Sequence, residues 1–144
     1  MGSLGSLGYM NNKLTIFTDG GARGNPGPAG IGAVLYNDKK EKVAEVSKFL
    51  GVKTNNQAEY TALIEALKKA RELQAQELEI FLDSELVVKQ LNGLYKVKNK
   101  DLAPLFLEVY NLSLNFSKIT FIHVYRENNK EADRLANEAM DRGK

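Results

Sequence analysis

The chain contains no cysteine. That excludes a disulfide framework and any thiolate metal site, so a bound metal would rest on oxygen ligands or on the single histidine, His123. A hard cation such as Mg²⁺ suits that donor set. No run approaches the roughly 18 consecutive apolar residues of a membrane span, and the N-terminus lacks the basic start and apolar stretch of a secretory signal. A soluble, cytoplasmic protein with no membrane partner is expected. Neither sign of charge dominates: 20 basic against 18 acidic residues leave a net charge of +2, too balanced to mark a nucleic-acid binder by itself.

What is present fits one domain. A length of 144 residues is enough to bury a core without staples. The opening "MGSLGSLGYM" repeats Gly-Ser-Leu-Gly before a second methionine, Met10, and reads as an appended or disordered leader over residues 1–10. Residues 11–144 then form the single domain.

"KLTIFT", "GIGAVLYN" and "KVAEVSKFLG" read as three strands, the second and third joined by the turn "NDKK". The period then changes to that of a helix. Thr54 or Asn55 can cap "NQAEYTALIEALKKARELQ", whose buried stripe is Leu63, Ala66, Leu67 and Ala70. A strand "ELEIFLD", a helix "SELVVKQLNG" opened by Ser84, and a helix "DLAPLFLEVYNLSLNF" with Pro104 in its first turn follow. "KITFIHVYR" is a last strand and "NNKEADRLANEAMDR" a last, highly charged helix. The order βββαβααβα predicts an α/β fold with a five-stranded mixed sheet, an antiparallel meander plus parallel strands, flanked by helices.

In such a sheet ligands bind beyond the carboxyl ends of the parallel strands. Asp19 and Asp83 stand where the first and fourth predicted strands end. An aspartate closing an apolar strand must reach water, cap a turn or bind something positive. Glu59 lies one turn before Leu63 on the buried stripe, so it points inward. Asp133 stands in a helix that looks polar nearly all round, and its pattern alone does not separate it from surface charge. Spacing by itself leaves the convergence of these four acids open.

Four stretches carry a resemblance: "TDGGARGNPGPAGIG", "TNNQAEYTALIEAL", "IFLDSELVVKQLNG" and "RENNKEADRLANEA" are similar, in order, to the signature blocks of type 1 ribonuclease H. The match covers nearly all of residues 13–143 and implies an RNase H-like fold. It implies hydrolysis of the RNA strand of RNA/DNA hybrids, giving 5′-phosphate and 3′-hydroxyl ends. The family's acidic quartet falls on Asp19, Glu59, Asp83 and Asp133. These would hold two Mg²⁺ ions, with Mn²⁺ able to substitute, Asp19 bridging both. The chemistry requires cations: unit charges about 4 Å apart repel by roughly 4 kcal/mol at an effective dielectric of about 20.

The resemblance also implies the substrate contacts. Asn25, Asn55 and Asn56 would meet the 2′-hydroxyls of the RNA strand, with backbone help at Gly20 and Glu85. Thr54 would belong to a pocket for a DNA-strand phosphate, although Val52 stands where an arginine is common and Lys53 is the nearest replacement. Tyr95, Lys96, Lys98 and Lys100 make a basic, aromatic patch suited to a phosphate backbone. The basic protrusion and loop histidine of many relatives are absent. Arg126 and Glu127 are the auxiliary candidates in their place, and His123, inside a predicted strand, is expected to pack rather than react. The expected partner is an RNA/DNA hybrid bound by a monomer, with double-stranded RNA a second candidate partner. A non-catalytic duplex-binding module and a retroelement polyprotein domain are the alternative readings.

Overall fold

The computed structural model describes residues 12–144, so the leader lies outside the described residues. Five strands form one sheet, ordered β3-β2-β1-β4-β5, built from β1 (Lys13–Ala22), β2 (Gly27–Tyr36), β3 (Lys42–Lys53), β4 (Glu77–Leu82) and β5 (Lys118–His123). β1 to β3 pair antiparallel, while β4 runs parallel to β1 and β5 parallel to β4. Among the described residues four α-helices accompany them: α1 (Asn55–Glu72), α2 (Glu85–Leu91), α3 (Ala103–Ser113) and α4 (Lys130–Arg142). The element order and mixed sheet are those expected. No described helix is long and apolar enough to cross a membrane.

The start of α1 is set locally. Thr54 accepts from the Gln57 N–H, and the Gln57 side chain accepts from the Thr54 N–H, a reciprocal capping box. Leu63, Ala66, Leu67 and Ala70 are fully buried, as the period predicts, and join Leu14, Ile16, Leu78 and Ile80 in the main core.

Glycines set how closely the helices approach. A Cβ on Gly20 would lie 2.3 Å from the Ala58 carbonyl of α1. On Gly32 it would lie 2.2 Å from the Ala132 carbonyl of α4. Gly20 pairs with Ile31, so Gly32 points to the opposite face, and α1 and α4 cover opposite sides of the sheet. The glycines leave room for backbone on both sides of one point in the sheet.

Around the acids the structure corrects the sequence reading at β1, β5 and α4. β1 does not stop at Asp19: its parallel pairing with β4 ends at Thr18 beside Leu82, while its antiparallel pairing with β2 continues to Ala22. Asp19 therefore sits at a fork inside a strand. β5 ends at His123, and Arg126–Asn128 form a short 3₁₀ turn instead of extending it. α4 is not polar all round, because Ala132, Leu135, Ala136 and Ala139 make a buried stripe of small residues fitted to Gly30 and Gly32.

Candidate active site

Continuing the register past Thr18 and Leu82 makes Asp19 and Asp83 the next residues on two adjacent parallel strands, where the strands part. Glu59 reaches the same point from the second turn of α1, on which the Gly20 N–H donates to its Oε1 at 2.9 Å. Carboxylate oxygens of Asp19, Glu59 and Asp83 all lie within 4.8 Å of one another. Asp133, in the first turn of α4, is brought to the same cavity by the close seat of that helix over Gly32. All four acids line one cavity of about 460 Å³.

Gathering them is electrostatically costly. Asp19 is 7% exposed and Glu59 6%. Burial, then the charges of Glu59 and Asp83, push the Asp19 carboxyl up to about 10. Burial pushes Glu59 up to about 8, against the lowering effect of the Gly20 N–H and, from further off, Arg126. Glu59 Oε2 is buried and has no hydrogen-bond partner among the described residues. An orphaned carboxylate oxygen beside two further acids, all oxygen donors, fits a hard divalent cation.

The flanking amides are aimed by the backbone. Asn25 Oδ1 accepts from the Asn55 N–H at 3.0 Å, and Asn55 Oδ1 accepts from the Ala22 N–H at 2.8 Å. Both oxygens are engaged, and among the described residues neither NH₂ group makes a hydrogen bond. Asn55 and Asn56 line the cavity with the acids, as do Gly20 and Arg126. Arg126 reaches it because the chain turns away from β5 after His123.

Other predicted residues lie elsewhere. Glu127 lines a separate hollow with Phe17 and Tyr36. Glu85 is exposed on α2 with its carboxylate 3.6 Å from Lys89 Nζ, and its neighbour Ser84 is the cavity residue. Tyr95, Lys96 and Lys98 stand outside both cavities on the segment after Gly93, with Lys89 Nζ 5.1 Å from the Tyr95 ring. His123 packs edge-on against Tyr125 and does not line the cavity. Thr54 lines a second cavity of about 220 Å³ with Asn25, Asn56, Asn99, Asp101 and Leu102, and neither Val52 nor Lys53 lines it.

Two site residues were not anticipated from the sequence. Asn99 joins Thr54 in the second cavity from the far side of the chain, and nothing in its local pattern sets it apart from a turn residue. Asn129 is 1% exposed, and its Nδ2 donates to the Thr18 carbonyl at 2.9 Å and stands 3.5 Å from Asp83 Oδ2. Its position ahead of a helix suggests an N-cap, but its side chain makes no cap bond to α4. It ties the helix carrying Asp133 to the strand carrying Asp19.

A family model described as reverse transcriptase-like matches residues 17–139. A bifunctional protein of Mycobacterium tuberculosis is 47% identical over 130 residues, which cover 90% of this chain and 36% of that protein. Ribonuclease HI of Halobacterium salinarum is 43% identical over 129 residues, 90% of this chain and 65% of that protein. The chain thus spans only part of these relatives. The crystal structure of the Halobacterium RNase H1 matches with a TM-score of 0.88 and 42% identity, over 90% of this chain and 98% of that one. LC11-RNase H1, solved in complex with an RNA/DNA hybrid, matches with a TM-score of 0.85 and 43% identity, over 90% of this chain and 97% of that one. Superposition over 90% of this chain and more than two-fifths identity to both solved enzymes lead to one assignment: this chain belongs to the ribonuclease H family.

Proposed function

We propose that the protein is an endonuclease that hydrolyses the RNA strand of RNA/DNA hybrids with Mg²⁺ at Asp19, Glu59, Asp83 and Asp133. The observation that carries this reading is the convergence of three carboxylates within 4.8 Å in a cavity also lined by Asn55 and Asn56. When bound, a pair of Mg²⁺ ions, or Mn²⁺ in their place, supplies an activated water and neutralises charge on the phosphate and the leaving oxygen. Water oxygen bonds to phosphorus, the P–O3′ bond breaks, and the products carry 5′-phosphate and 3′-hydroxyl ends.

The protein's own contribution is placement. The Gly20 N–H holds Glu59, and Asn129 stands against Asp83, so two of the acids are oriented before any ligand arrives. Asn25, Asn55 and Asn56 offer amide donors to the minor groove, where 2′-hydroxyls distinguish RNA from DNA. Arg126 faces the acids with donors suited to a phosphate oxygen. The cavity at Thr54 and Asn99 offers neutral donors to a phosphate of the DNA strand, with the Asp101 carboxylate also in its lining, and the exposed Tyr95, Lys96 and Lys98 add sequence-independent attraction.

An end-labelled hybrid incubated in Mg²⁺ beside single-stranded and double-stranded RNA tests this reading. Cleavage of the hybrid's RNA strand, abolished by Asp19→Asn, is the expected result. Binding without cleavage in either Mg²⁺ or Mn²⁺ would leave a duplex-binding module instead.

A further inference from the structure

The cavity extends past the carboxylates. Its far arm follows Gly21 and Ala22 to Arg23, and is walled by Asn137 and Met140 of α4. Arg23 and Arg126 are the two basic residues of the lining.

Arg23 is held at one end of its guanidinium. Nη2 stands 2.7 Å from Asp141 Oδ1 and donates weakly to Asn137 Oδ1 at 3.4 Å and the Asn137 carbonyl at 3.5 Å. Among the described residues all of its side-chain bonds leave from Nη2, so Nη1 and Nε keep their donors, and the side chain is 48% exposed. The turn does not depend on this contact. The Arg23 N–H already donates to the Pro28 carbonyl at 2.8 Å, and the Ala22 N–H to Asn55. An ion pair this exposed adds little to stability. The remaining donors, Nε and Nη1, lie on different edges of the guanidinium, and each suits a single phosphate oxygen.

Distance places that phosphate beside the reacting one. A strand rises about 3.4 Å per residue, so the Arg23 Cα lies at most about 14 Å from that of Asp19. A polyanion crossing a cleft of carboxylates needs cationic contacts next to it.

We infer that Arg23 binds a phosphate of the RNA strand flanking the one that is cut, with Asp141 and Asn137 as its positioning residues. This rests on the hybrid-cleaving function proposed above and adds a contact to it.

Binding is measured by fluorescence anisotropy over a salt series in the Asp19→Asn background, where the hybrid is not consumed. Adding Arg23→Ala weakens binding on the order of tenfold and lowers the salt slope by about one. Adding Asp141→Asn breaks the same ion pair yet keeps the slope. Hybrids with one neutral methylphosphonate at successive RNA-strand positions then locate the contact: at one flanking position the substitution weakens the Arg23 protein and leaves the Arg23→Ala protein unchanged. Equal losses for Arg23→Ala and Asp141→Asn with an unchanged slope would make Arg23 a strut and overturn the inference. Sensitivity mapping only to the DNA strand would overturn it too. Cleavage of hybrids by the unaltered protein, scored in parallel, shows whether such a failure belongs to Arg23 alone or to the proposed function as a whole.

Discussion

Gly20 and Glu59 meet across the junction of sheet and helix: the Gly20 N–H donates to Glu59 Oε1 at 2.9 Å, while its missing side chain admits the Ala58 carbonyl of α1. One residue thus sets both the approach of α1 and the direction of the carboxylate. Gly20→Ala places a Cβ 2.3 Å from a backbone oxygen that cannot swing aside. Urea denaturation should show a loss of about 1–3 kcal/mol, the usual cost of overpacking. Hybrid cleavage should fall with it even under conditions where the variant is fully folded, because Glu59 shifts with the helix.

The buried acids make metal-free stability depend on pH. Asp19 and Glu59 have folded-state values of about 10 and about 8, against ordinary values of 3.8 and 4.5. Between those limits the folded protein retains protons that the unfolded chain releases, so stability falls as pH rises. Thermal unfolding in EDTA should show a lower midpoint at pH 8 than at pH 5, and Asp19→Asn should flatten the profile. Mg²⁺ should restore stability most at the higher pH. A midpoint that climbs from pH 5 to pH 8 in EDTA would contradict this account.

Arg126 and His123 should differ sharply. Arg126 lines the cavity and bears on Glu59, whereas His123 packs on Tyr125 outside it. Arg126→Ala should lower kcat by on the order of 10²-fold, as loss of a donor to a developing charge does, with partial recovery in Arg126→Lys. His123→Ala should change kcat by less than about threefold, within the range expected for a residue with no part in proton transfer. A comparison of initial rates at saturating hybrid distinguishes them.

Asn129 should matter to both fold and site. Removing its amide leaves the Thr18 carbonyl without that donor in a buried setting, a loss of about 1–3 kcal/mol. Asn129→Ala should lower the denaturation midpoint and also weaken Mg²⁺ binding, since Asp83 loses its neighbour. Asn129→Asp should weaken Mg²⁺-free stability more, by adding a carboxylate 3.5 Å from another. Calorimetric Mg²⁺ titration of the folded variants measures the second effect separately.

The sequence by itself determined the order of the elements and the inward phase of Glu59. Apolar alternation marked the strands, the period of Leu63, Ala66, Leu67 and Ala70 marked α1, and its phase pointed Glu59 inward. These are local properties, expressed in the spacing of neighbouring residues. The four ordered blocks then implied the quartet, Asp133 included, although the pattern of α4 alone did not single it out. What only the tertiary structure decided depends on groups far apart in the chain. Asp19 lies at a fork because β1 has two partners whose pairings end at different residues, and Asp133 arrives because Gly32 lets α4 settle onto β2. Asn129, Arg126 and Arg23 look like a cap, a strand end and a turn residue in sequence. Arg126 and Arg23 become parts of one cavity, and Asn129 a tie between Thr18 and Asp83 beside it, through backbone approach and long-range hydrogen bonds that no local period encodes.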